Sequence, residues 1–123
     1  MFQPGDIVGF QSAEAKKHKF HLCISQTGDF VFLNTPKKKR RPADLYVSCD
    51  ELPGIEPTET GESIISCSLV MQKTDVQLRS AGAKKKGQCG TATLKKIIAF
   101  VENNDVLTDD EKEAVIGSLS EWV

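Results

Sequence analysis

Ser63-Ile64-Ile65-Ser66-Cys67-Ser68-Leu69-Val70-Met71 decides the fold. The run is rich in Ile, Val, Leu and Ser and carries no charge, which suits a strand buried on at least one face. A polar turn follows, with Val76 and Leu78 predicting a short helical turn within Thr74–Ala81. Ala83 to Cys89 reads as a last short strand carrying Lys84, Lys85 and Lys86. Thr91 is placed to accept free N–H groups at a helix start. Leu94, Ile97, Ile98 and Val101 then recur at i, i+3, i+4 and i+7, one apolar stripe of a helix. A central strand, a basic strand and a packed helix thus lie in a row, and the other strands are expected to close around them.

Upstream, Pro4-Gly5-Asp6 is a turn signal, and Ile7 to Phe10 reads as a first strand. Gln11 to Lys17 is polar and reads as a loop. Lys19 to Ser25 alternates, with Phe20, Leu22 and Ile24 on one face and Lys19, His21, Cys23 and Ser25 on the other. Gln26-Thr27-Gly28-Asp29 is a hairpin turn, and Phe30 to Leu33 is a third, central strand ended by Asn34-Thr35-Pro36. Asp44 to Ser48 is a short fourth strand. Glu51 to Gly61 contains Pro53, Gly54 and Pro57 without periodicity and reads as a long surface loop. Downstream, Thr108-Asp109-Asp110-Glu111 is a capping-box signal for a second helix with Val115, Leu119 and Trp122 on one face. The predicted architecture is mainly β with C-terminal α: a small antiparallel barrel or strongly bent sheet plus two C-terminal helices.

The chain has 123 residues, 39% hydrophobic and 27% charged, which fits one globular domain spanning 1–123. Residues 1–103 form the barrel and first helix of that reading, and 104–123 an additional helix. A formal net charge of −1 exerts no whole-molecule pull on nucleic acid or acidic lipid. No membrane-length apolar run and no secretory signal is visible, so the expectation is a cytoplasmic protein with no membrane partner. Cys23, Cys49, Cys67 and Cys89 are widely spaced and read as reduced thiols, not a zinc site or a disulfide framework. No phosphate loop, zinc-protease motif or nucleophile elbow occurs, and neither metal nor cofactor is expected.

Two features carry candidate chemistry. Lys37, Lys38, Lys39, Arg40 and Arg41 form a cationic run beside a strand end, closed by Pro42. It is either a solvated loop or an edge that binds the phosphates of RNA. His18 and His21 are the only histidines. His18 reads as a solvated loop residue and His21 as a structural residue on a strand face.

The order of these segments resembles the MazF/PemK family of toxin–antitoxin endoribonucleases. Pro4-Gly5-Asp6-Ile7-Val8 is similar to that family's opening Gly-Asp strand. Lys19 to Ser25 lies where the family has Arg-Pro-Ala followed by an apolar strand ending in Ser. Phe32-Leu33-Asn34-Thr35 falls where a strand ends in a functional threonine. Ser63 to Cys67, Lys86-Gly87 and the Leu94–Val101 helix resemble the later elements. The resemblance covers residues 4–103 and implies an SH3-like barrel, a homodimer and a cognate antitoxin. It also implies cleavage of single-stranded RNA, with Lys19 supplying positive charge at phosphorus and Thr35 a hydrogen bond to the scissile phosphate. His21, two residues from Lys19 on one strand face, is then a candidate proton carrier.

Lys19 stands where the family has arginine, and Phe20 where it has proline; a lysine is a point charge without arginine's planar fork. A second register sets Arg41-Pro42-Ala43 on the Arg-Pro-Ala motif but leaves too many residues after the first strand. It keeps open that Arg40 or Arg41 supplies the guanidinium. The helix from Thr108 to Val123 exceeds the family core. A non-catalytic module on the same barrel is the alternative: a degenerate toxin, a nucleic-acid binder, or a gyrase-directed toxin like CcdB, whose C-terminal tryptophan Trp122 resembles. A mobile-element protein with an unrelated partner is the third.

Overall fold

The computed structural model describes all 123 residues. Six strands form one antiparallel sheet: β1 (Asp6–Ser12), β2 (Lys17–Cys23), β3 (Asp29–Asn34), β4 (Asp44–Ser48), β5 (Glu62–Gln72) and β6 (Lys84–Gln88). Their order across the sheet is β4-β5-β3-β2-β1-β6. Three helices complete the chain: α1 (Asp75–Ser80), α2 (Thr91–Glu102) and α3 (Asp109–Ser120). The protein is mainly β with C-terminal helices, and its bent sheet is barrel-like.

The bend has a local cause. Phe30 pairs with Met71, but Phe32 pairs with Ser66, so β5 spends extra residues between two neighbouring rungs. Such bulges kink a strand and raise its twist. The first half of β5 therefore pairs with both β4 and β3, while its far end turns back along the start of β3.

Burial follows the alternation of β2 in an unexpected way, because both faces are covered. Leu22 and Ile24 join a cluster of 16 buried residues that includes Val31, Ile65, Leu94, Ile97, Val101, Val115 and Leu119. That cluster runs unbroken from sheet to α2 and α3, so the last helix completes the main core. On the opposite face Val8, Phe10, Cys23 and Phe30 gather under Leu78 of α1. A six-residue helix that reads from sequence as a mere turn is thus the lid of a second core.

Several boundaries differ from the sequence reading. Within the polar stretch from Gln11 to Lys17, residues 13–16 form the expected turn, but Gln11 and Ser12 extend β1 and Lys17 opens β2, because their backbones continue the β1–β2 pairing without apolar residues. Thr91 is not the cap of α2. Gly90 occupies that position without a side-chain bond, and the buried Thr93 hydroxyl instead donates to Glu51. Ile98 is only half-buried, whereas Leu94, Ile97 and Val101 are buried. The loop after β4 is anchored by the fully buried Leu52. Thr108 does form the capping box of α3, with Glu111 as its reciprocal partner.

Candidate functional site

The site lies where β3 ends. The β2–β3 register pairs His21 with Phe32 and Leu22 with Val31. Alternation from that register sends Phe20 and Leu33 toward the main core and Lys19, His21 and Phe32 to the opposite face. Thr35, one residue past β3, rejoins the side of Phe20 and Leu33. Those three residues, with Ile55, Ser63 and Lys86, line a cleft of about 450 Å³.

Two glycines build its wall. The β4–β5 loop crosses β6 with backbone against backbone: a Cβ on Gly87 would stand 2.0 Å from the Pro53 carbonyl oxygen. One on Gly54, whose φ is +96°, would stand 1.9 Å from the carbonyl oxygen of Lys86. Only glycine permits this approach. Register shows a second device: Ile7 pairs with Gly87 and Val8 with Lys85, leaving Lys86 as the extra residue of a bulge. Bulges re-aim side chains, and Lys86, the bulged residue, lines the cleft.

The loop is held from beneath. Glu51 accepts from Lys96 Nζ at 2.8 Å, from the Thr93 hydroxyl at 3.1 Å and from the Ser48 N–H at 3.1 Å. Burial raises the Glu51 pKa, but these donors outweigh it and hold the carboxyl below its usual value. Thr58 donates its N–H to Cys49 Sγ at 3.4 Å and its hydroxyl to the Glu62 carbonyl oxygen. Ser63 donates its hydroxyl to the Asn34 carbonyl oxygen at 3.2 Å. Those two hydroxyls are occupied within the protein.

Three polar groups of the cleft are not. Thr35, Glu56 and Lys86 line it, and their side chains make no hydrogen bond or ion pair. A second hollow of about 370 Å³ shares Thr35 and Thr58 with the first and continues past Pro36. Lys37, Lys38, Lys39, Arg40 and Arg41 follow Pro36 in the chain and line neither hollow; all are exposed and none is in an ion pair. Arg40 lies over the Tyr46 ring at 4.0 Å, which ties the run to β4.

The structure separates the other expected site residues from this cleft. Lys19 donates to Asn34 Oδ1 and sits over the Phe32 ring at 5.4 Å, on the face away from Thr35. Burial, then the charges of Lys17 and Lys37, push its pKa down. Lys19 and Thr35 are neighbours through the strand pairing but not partners in one pocket. His21 is 0% exposed. Its ring stacks on Phe10 at 3.7 Å and 5°, and Phe32 lies 5.2 Å away. Neither ring nitrogen has a hydrogen-bond partner. Burial pushes its pKa down to about 4, against weak polar support from the backbone of Val8 and Lys19. A side chain so enclosed does not exchange protons with a bound substrate, so its placement removes it from the reacting groups.

Sequence reading missed Glu56 and the cleft position of Lys86. Lys86-Gly87 carried a signal as a Lys-Gly pair on a strand; Glu56, between Ile55 and Pro57, carried none. Three of the four free thiols are unsuited to nucleophilic work, since burial raises Cys23 and Cys67 to about 12 and Cys89 to about 11. No three His, Cys, Asp or Glu side chains converge as a metal-ligand set, and no helix is long and apolar enough to cross a membrane. No family model, curated protein or solved structure matches the chain.

Proposed function

We propose that this protein is a MazF/PemK-like toxin that binds single-stranded RNA in the Thr35–Lys86 cleft and cuts it without a metal. One observation carries the reading: Thr35 and Lys86, both unpaired, share a cleft, and five unpaired cations follow Thr35 and Pro36 in the chain. In such cleavage the ribose 2′-hydroxyl gives its proton to water and its oxygen attacks the adjacent phosphorus, closing a 2′,3′-cyclic phosphate, while the bond to the 5′-oxygen breaks and that oxygen takes a proton from water. Lys86 is the cation available to stabilise charge on the phosphoryl oxygens, in place of Lys19. Thr35 donates a hydrogen bond to the same group. Lys37 to Arg41 hold the flanking phosphates. The partners that accompany this reading are a cognate antitoxin and a second copy of the chain.

The test is cleavage of a long single-stranded RNA by purified protein, with folding checked by circular dichroism. Lys86→Ala and Thr35→Ala each lower the rate about 10²–10³-fold, the usual loss for one preorganised electrostatic contact. Lys19→Ala, outside the cleft, retains most activity. Equal rates for the Lys86 and Thr35 variants and the wild type overturn this assignment. The burial of His21 favours the second reading, a binding module without catalysis on the same cleft. RNA binding with no cleavage at high protein concentration selects that alternative.

A further inference from the structure

We infer that the cleft is a nucleobase pocket and that Glu56 makes it selective for guanine; this rests on the RNA-binding reading above. The floor is apolar, formed by Phe20, Leu33 and Ile55. A cleft that only tracked phosphates would gain nothing from such a floor. A base splayed from a single strand does, because its flat face stacks on aromatic and aliphatic side chains.

The polar groups then define which base. Glu56 and Lys86 carry opposite charges in one cleft, yet form no ion pair. A carboxylate at this place repels the phosphates of a bound strand. It becomes useful where the ligand brings donors to it. An ionised carboxylate accepts only, and its two oxygens match two parallel N–H groups. Guanine presents such a pair, N1–H beside the 2-amino group. Uracil sets its one N–H between two carbonyl acceptors that the carboxylate repels. Adenine and cytosine each set a single amino donor beside an acceptor nitrogen. With the guanine edge at Glu56, Lys86 is left for the phosphate of that nucleotide, and the strand continues past Thr35 to the basic run.

The experiment uses the full-length protein and fluorescein-labelled pentauridylates with 2′-O-methyl riboses, which block attack by the 2′-oxygen. The central base is uracil, adenine, guanine or hypoxanthine, the last lacking only the 2-amino group. Affinity is read by fluorescence anisotropy at one fixed salt concentration. The wild type binds the guanine-centred strand about ten- to a hundredfold more tightly than the uracil- or adenine-centred strand. Hypoxanthine loses part of that margin. Glu56→Gln, a conservative change at an exposed position, abolishes the margin while adenine-centred binding is retained. Equal binding of all four strands, or a guanine preference that survives Glu56→Gln, overturns the base-pocket inference alone. The RNA reading then still stands if Lys86→Ala weakens every strand. Absence of binding to any strand overturns both.

Discussion

The two faces of β2 treat their polar groups in opposite ways. On the face of Lys19 and His21 the aromatic rings pack against one another around the histidine, and a hollow of about 410 Å³ opens only beyond Phe10 and Leu78, beside α1. Phe10 stacks on His21, Phe30 packs edge-on against both, and Leu78 closes the cluster. On the face of Phe20 the core stops short, and the space beyond Leu33 is left open with three unengaged polar groups. Residues adjacent in sequence, Lys19 and Phe20, therefore belong to different environments. A strand's period of two divides any linear motif between two surfaces. The family resemblance put Lys19 in one site with Thr35, and proximity along β2 added His21; the pleat assigns both to the other face.

The largest effect that tests this contrast is loss of an aromatic from the face of His21. Phe30 is 0% exposed. Phe30→Ala is expected to cost about 3–5 kcal/mol in a denaturant melt, as for other buried aromatics. Phe20→Ala, half-buried at the cleft, is expected to cost clearly less and to act on RNA binding instead. Equal losses of stability at the two positions would show that the cleft face is packed as tightly as the other.

Next in size is the pH dependence from His21. Its folded pKa lies near 4, below the ordinary 6.5 of the unfolded chain. The unfolded state therefore binds the proton first as pH falls. Stability from this residue is fully present above 6.5 and declines toward pH 4, by roughly 3 kcal/mol. Glu14 and Glu51 are held below the usual carboxylate range, Glu14 chiefly by the Lys73 ammonium. Their contributions are present above the unfolded carboxylate pKa and are lost as pH falls further, overlapping the acid end. His21→Phe isolates the histidine, because it keeps the stack on Phe10 and titrates nothing. The difference in stability between wild type and variant is expected to change steadily from pH 6.5 to 4. A constant difference would mean that His21 is reached by solvent.

The legibility of each feature in the sequence tracks the range of the forces behind it. The uncharged run 63–71, the alternation of Phe20, Leu22 and Ile24, and the stripe Leu94, Ile97, Val101 all express local periodicity, and each forms the expected element. The capping box at Thr108 is equally local. The cleft is not, since it depends on Pro53-Gly54 meeting Lys86-Gly87 across more than thirty intervening positions. Glycine at 54 and 87 is visible in the sequence, but the need for it arises only from that crossing. Gly87→Ala is the corresponding probe. Its Cβ meets backbone rather than a movable side chain, so overpacking is expected to cost about 1–3 kcal/mol and to displace the loop carrying Glu56. A variant as stable as the wild type would show that the loop does not lie against β6 in solution.

The smallest expected effect concerns how far the open face extends. Lys37 to Arg41 lie outside the cleft and follow Pro36, which lines the second hollow. If the bound strand runs that way, the cations displace counterions from its phosphates. For a single strand the slope of log affinity against log salt changes by about 0.7 for each phosphate neutralised. Replacing Lys37, Lys38 and Lys39 by glutamine is expected to flatten that slope by up to about 2 and to leave base preference unchanged. Arg40 is spared in this variant because it stacks on the Tyr46 ring of β4. Thermal stability should therefore stay within about 0.5 kcal/mol of the wild type, as for exposed positions generally. An unchanged salt slope with unchanged affinity would confine the functional surface to the cleft itself. The five cations would then be ordinary solvated charges, and the strand would have to leave the cleft on the side of Ile55 and Glu56.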